Sequence, residues 1–197
     1  MKLTDELSIA APLSKTWPVL LDVPTVARAL PGAAIGDTAE QGEYRGRMKV
    51  KLGPVTAEYT GVARLQEVDD DDHVARYHVV GREARGQGSA EATITIGARD
   101  DDGGTRLRVE TELAITGRQA QLGRGVMEEV ASGVLREFVG RLEGTITGEG
   151  ESAGAVDGGE DVFDAGAAVY RPLLERAAIL LAGVLVGLGL GRVVWRR

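Results

Sequence analysis

The chain has 197 residues, a formal charge of −7, 43% apolar residues and 4% aromatic residues, the amount of apolar material expected for one domain plus an extra segment. It has no cysteine and two histidines, which excludes disulfides, thiolate zinc and iron–sulfur ligation, cysteine nucleophiles and a multi-histidine metal centre. The acidic balance excludes a general nucleic-acid binder, whose partner surface is basic.

In chain order, alternation at Leu3, Asp5, Leu7 and Ile9 predicts an opening strand. A short helix follows over SKTWPVLLD, with Ser14 as its N-cap, and a second begins at Pro24 and Thr25 and stops at Pro31 and Gly32. From about residue 33 to 116 the pattern is strand after strand. Tyr44, Met48, Val50 and Leu52 share one face, while Arg45, Arg47, Lys49 and Lys51 share the other. Ala57, Gly61, Ala63 and Leu65 fall with Tyr59, and Ala75 and Val79 with Tyr77; Ala92, Ile94 and Ile96 form another row, as do Leu107, Val109, Leu113 and Ile115. One apolar and one charged face mark an antiparallel sheet covered on one side. Turns are expected at Gly53-Pro54, Asp69 to Asp72 and Asp100 to Gly104. A long helix is expected from about Gln119 to Glu143, on a stripe of Leu122, Val126, Val130, Val134, Phe138 and Leu142 that Met127, Ala131, Leu135 and Val139 widen. The predicted fold is α+β: a curved antiparallel sheet of about seven strands gripping the long helix.

The charge divides unevenly. Residues 1–146 carry a net −5, residues 147–166 carry −6 with six glycines, and residues 167–197 carry +4. The middle stretch cannot bury enough apolar surface to offset ordering and reads as a flexible acidic linker with a reach of roughly 25 Å. The last stretch holds a 15-residue uncharged run, Ala177 to Gly191, followed by Arg192, Trp195, Arg196 and Arg197. As a helix that run rises about 22 Å, short of the roughly 30 Å hydrocarbon core, whereas Leu173 to Trp195 would reach roughly 34 Å by including Glu175, Arg176 and Arg192. Leu180, Leu181, Leu185 and Leu188 supply the apolar body, and Gly183, Gly187 and Gly191 form a ridge suited to self-association in lipid. A membrane-associating tail is the favoured reading; a helix folded back onto the protein or its partner is the alternative, and spanning and interfacial insertion remain open. The charged N-terminus predicts no secretory signal peptide.

Four stretches in order carry a family resemblance: LPGA (Leu30 to Ala33), GPVTAEYTGVARL (Gly53 to Leu65), RGQGSAEATITI (Arg85 to Ile96) and GTRLRVETELAITGRQAQLGRG (Gly104 to Gly125). They resemble the CoxG family of molybdenum carbon monoxide dehydrogenase, within the START-like (SRPBCC) helix-grip superfamily. The resemblance implies a non-catalytic accessory protein with an apolar cavity, which attaches a molybdenum hydroxylase of the carbon monoxide dehydrogenase type to the membrane. It also implies a bound isoprenoid quinone, with no covalent cofactor, and a place at the cytoplasmic face of the cell membrane beside membrane lipids.

Enzyme signatures are not found. His73 and His78, five apart in one predicted strand, face opposite sides, and no His–carboxylate pairing is evident for a cyclase or dehydratase. The Asp69–Asp72 and Asp100–Asp102 runs lack the spaced ligands of a calcium loop and read as solvated turns, so no metal site is expected. The small inward residues Ala57, Gly61, Ala63, Ala75, Ala90 and Ala92 leave room under the long helix. Met48, Tyr59, Tyr77, Val79, Ile94, Leu113, Leu122, Val126, Met127 and Val130 are the candidate cavity liners, or else an ordinary core. Tyr59 and Tyr77 are candidate hydroxyl donors to a quinone carbonyl, unless they serve backbone partners. Gly123 and Gly125 read as a soft gate or as close helix-on-sheet packing.

Overall fold

The computed structural model describes residues 1–38, 42–52, 55–86 and 88–148, with a two-residue strand at 163–164. The expected linker outside that strand and the whole of 167–197, including the tail positions from Leu180 to Arg197, lie outside the described residues.

The strands are β1 (Lys2–Ile9), β2 (Ala33–Thr38), β3 (Glu43–Leu52), β4 (Val55–Asp69), β5 (Val74–Glu83), β6 (Ser89–Asp101) and β7 (Gly104–Ile115). They form one antiparallel sheet in the order β1-β7-β6-β5-β4-β3-β2. The helices are α1 (Leu13–Leu21), α2 (Val23–Ala29) and α3 (Arg124–Thr147). Within the stretch expected as linker, Phe163–Asp164 forms β8, which pairs parallel with Val50 and Lys51 of β3.

Local chemistry differs from expectation at three points. Helix α1 starts at Leu13 behind Pro12 and has no side-chain cap, so Ser14 is not its N-cap. The backbone turns at Gly123 with φ +80°, a left-handed conformation open to glycine, and this splits the expected long helix into a 3-10 helix at Arg118–Leu122 and α3. A Cβ at Gly123 or Gly125 would meet nothing within 4 Å, so neither glycine permits close packing. His73 lies in the β4–β5 turn with φ +49°, not in a strand.

Glycines stack in register across three strands of the curved sheet: Gly46 opposes Gly61, and Gly61 opposes Gly81. A Cβ on Gly61 would sit 1.9 Å from the Val80 carbonyl oxygen, so strands β4 and β5 approach there more closely than any side chain allows. The main core fills one end of the trough that the curved sheet forms. Ile9, Trp17, Leu20, Val23, Ala75, Tyr77, Ile96, Leu107, Val109, Phe138 and Leu142 belong to it. Helices α1 and α2 close that end: the Trp17 indole N–H donates to Asp70 Oδ1 at 2.8 Å, and its ring meets His73 edge-on at 5.2 Å. The Thr105 hydroxyl donates to the Ala11 carbonyl at 2.7 Å. The N-terminal half of α3 is tied to the β1 edge by polar hooks, Ser132 to Asp5 and the Arg124 guanidinium to the Lys2 carbonyl.

Tyr77 belongs to this closed end. Its hydroxyl donates to the Leu20 carbonyl at the end of α1, and it is 5% exposed. Burial, reinforced by Asp22, pushes its phenol up to about 12. The unfolded chain therefore releases this proton first, near pH 10. Stability is full below that pH and falls as pH rises through about 12, by roughly 2–3 kcal/mol. Tyr77→Phe is expected to cost about 1 kcal/mol at neutral pH and to flatten this alkaline loss. Urea unfolding followed by circular dichroism at pH 8 and at pH 11.5 checks both effects.

Candidate functional site

The strand register builds the inner face row by row. Met48 opposes Tyr59, and Tyr59 opposes Glu83. Four residues along, Tyr44, Ala63, Val79, Ala92 and Leu113 form one row across five strands; further on, Leu65, Tyr77, Ile94 and Thr111 form another. Side chains two apart on a strand share a face, so all of these point to the side that α3 covers.

Two apolar clusters occupy that side. Besides the main core, Ala57 and Met127 form a smaller one with Val50, Tyr59, Leu122 and Val130 around the start of α3. Met48, Ala63, Val79, Ala92 and Leu113 point inward yet belong to neither cluster, and each is only half-buried. The neighbouring inward row is smaller still, Gly61, Gly81 and Ala90.

Of the predicted liners, Met48, Val79 and Leu113 face inward outside both clusters, Tyr59, Leu122, Met127 and Val130 belong to the smaller cluster, and Ile94 packs against the main core. Tyr77 is spent on the Leu20 carbonyl and offers no hydroxyl to a ligand. Val126 is a correction: it is 39% exposed. The expected stripe repeats every four residues, whereas a helix repeats every 3.6, so Val126 and Leu142 stand about 160° apart around the axis. The buried side of α3 runs through Met127, Val134, Phe138, Val139 and Leu142, all within the expected stripe.

Three buried polar groups stand out, and two of them, Glu83 and Gln119, are not among the candidates that the sequence pattern points to. Glu83 is 6% exposed and continues the inward alternation of Tyr77, Val79 and Gly81; its Oε2 accepts from the Arg85 amide at 2.8 Å. Gln119 is 5% exposed, and its Oε1 is buried with no hydrogen-bond partner among the described residues. Tyr59 Oη is buried in the same condition. Burial, and then the neighbouring Glu83, raise the Tyr59 phenol, which stays protonated as a donor. The signal for Glu83 is present in the period-two pattern, but a charged residue at the end of an apolar alternation reads as the strand's exit. Gln119 is hidden because its segment reads as continuous helix.

Catalytic constellations are missing from this interior among the described residues. A His–carboxylate pair does exist, His78 Nε2 to Glu91 at 2.9 Å, but both residues stand on the outer face of the sheet. Asp69 Oδ1 accepts from the Asp71 and Asp72 amides, as a solvated turn requires, and no cluster of metal-ligating side chains occurs among the described residues. None of the described helices is long and apolar enough to cross a membrane.

The fold is shared with solved structures of low sequence identity. A conserved protein from Geobacillus kaustophilus is 15% identical with a TM-score of 0.66, covering 76% of this chain and 97% of its own. An aromatase/cyclase from Streptomyces sp. R1128 is 18% identical at 0.52, covering 79% and 99%. Ara h 8.0201 is 14% identical at 0.53, covering 75% and 98%. These likenesses establish the START-like helix-grip fold and nothing about chemistry. No curated protein matches the chain. The family model for the CoxG subunit of carbon monoxide dehydrogenase matches residues 6–154, most of the chain, and the protein belongs to that family.

Proposed function

We propose that this protein is a non-catalytic accessory subunit of a carbon monoxide dehydrogenase-type molybdenum hydroxylase. It holds a hydrophobic ligand, an isoprenoid quinone, between its sheet and α3 and links the enzyme to the cytoplasmic face of the membrane. The observation that supports the ligand reading is the set of inward, half-buried apolar residues, Met48, Val79, Ala92 and Leu113, that belong to neither core cluster. A concave, mostly apolar interior with a few fixed polar groups is the usual form of a small-molecule site. Family membership supports the partner, and the apolar, Arg-ended segment 177–197 supports the membrane link.

Organic extraction of the full chain, purified from its native membranes, is expected to release an isoprenoid quinone near one per chain by mass spectrometry. Consistently empty protein overturns the ligand reading. Deleting residues 167–197 is expected to move the protein from the membrane to the soluble fraction, and unchanged fractionation overturns the anchor.

A further inference from the structure

We propose that Tyr59, Gln119 and Glu83 form a head-group site that selects a neutral ligand ending in a hydroxyl, such as a phenol or quinol, over a bare carbonyl or a carboxylate. This rests on the reading of the interior as a ligand cavity.

The three residues converge at one end of the sheet. Tyr59 and Glu83 are cross-strand neighbours, and the Ala84 amide donates to the Glu58 carbonyl at 2.8 Å, holding the end of β5 against β4. The β5–β6 turn closes with the Glu83 amide donating to the Gly88 carbonyl at 3.0 Å. Gly88 in turn lies against the Thr116–Gly117 backbone, where an added Cβ would come within 2.4 Å of the Thr116 carbonyl oxygen. Gln119 is two residues beyond. In a 3-10 helix, residues three apart stand on the same side, so Gln119 shares a side with Leu122. Leu122 packs in the cluster that contains Tyr59. Left-handed turns at Gly117 and Gly123, with φ of +84° and +80°, bracket this helix and fix which side it presents.

The hydrogen-bonding inventory then defines the ligand. Tyr59 Oη has a proton to donate, and Gln119 Oε1 has lone pairs that need a donor. A buried polar atom without a partner is costly, so both atoms favour a ligand that satisfies them together. A hydroxyl does so, accepting from Tyr59 and donating to Gln119. A ketone or ether oxygen accepts from Tyr59 and leaves Gln119 Oε1 without a donor. A carboxylate brings a second negative charge beside the buried Glu83 and has no proton for Gln119. For a ligand that interconverts between quinone and quinol, the same atoms favour the quinol. Fatty-acid anions are excluded although the cavity wall is apolar.

The test is equilibrium binding of 1-naphthol, 1-methoxynaphthalene and 1-naphthoate to the ligand-stripped full chain. The expected result is naphthol binding at least about tenfold tighter than methoxynaphthalene, equivalent to about 1.4 kcal/mol, with naphthoate weakest. Gln119→Leu should reduce the naphthol preference to about onefold while leaving methoxynaphthalene affinity unchanged, and Glu83→Gln should strengthen naphthoate. Equal affinity for naphthol and methoxynaphthalene on the unmodified chain overturns the head-group site and leaves the cavity reading standing. If no probe binds, the cavity reading falls and the head-group site with it.

Discussion

Gly61→Ala is expected to destabilise the fold by about 3 kcal/mol or more, the largest effect of any single methyl group in the described structure. The added Cβ would lie 1.9 Å from the Val80 carbonyl oxygen and 2.6 Å from the Gly81 Cα. Both are backbone atoms of the adjoining strand, so the clash cannot be relieved by turning a side chain. Relief requires β4 and β5 to separate, which breaks the ladder at Gly61–Gly81. Gly97→Ala is the matched control. It sits in β6, where an added Cβ meets nothing within 4 Å, and the change should stay within about 0.5 kcal/mol. Thermal or urea unfolding of the two variants decides the matter; equal stabilities would show that the close approach at Gly61 has no energetic weight.

Ala92→Phe is expected to abolish ligand binding, with at least about a hundredfold loss of affinity, while leaving stability within about 1 kcal/mol of the parent or above it. Ala92 stands between Val79 and Leu113, and none of the three belongs to either cluster. A larger apolar side chain there occupies the space the ligand would take and buries its own surface in doing so. Leu142→Ala should do the reverse. Leu142 is fully buried in the main core, so its truncation should cost about 2–5 kcal/mol and leave affinity unchanged. Quinone occupancy and urea midpoints measured on both variants separate a cavity from a packed core. If Ala92→Phe instead loses about 1–3 kcal/mol through overpacking, the interior is filled and the protein is a structural anchor.

Much of the fold is legible in the sequence because its signals are local. Alternation over Tyr77 and Val79 or over Leu107 and Val109 assigns each strand a buried face, since side chains in a strand alternate whatever lies across from them. The Asp102-Gly103 turn between β6 and β7 is equally local, two residues with φ of +51° and +84° matching the twist of the strands they join. The division of the −7 charge into −5, −6 and +4 segments is a property of composition and needs no structure to find.

The site required the tertiary structure. Tyr59 and Tyr77 carry the same residue type in the same alternating pattern, yet one is consumed by the Leu20 carbonyl and the other is left without a partner among the described residues. That difference depends on where α1 docks, which no window of sequence encodes. Glu83 and Gln119 come from a strand end and a 3-10 helix 36 positions apart and share the interior only because β5, β6 and β7 lie side by side. Val126 falls outside the buried set because a helix turns by 100° per residue and a four-residue repeat drifts off its face. The sequence by itself determined the elements, their buried faces and the charge of each segment, since those follow from periodicity and composition. Which inward residues the two clusters bury, and which buried polar atoms are left without partners, was decided only by the tertiary structure, since packing depends on every neighbour and no residue carries it alone.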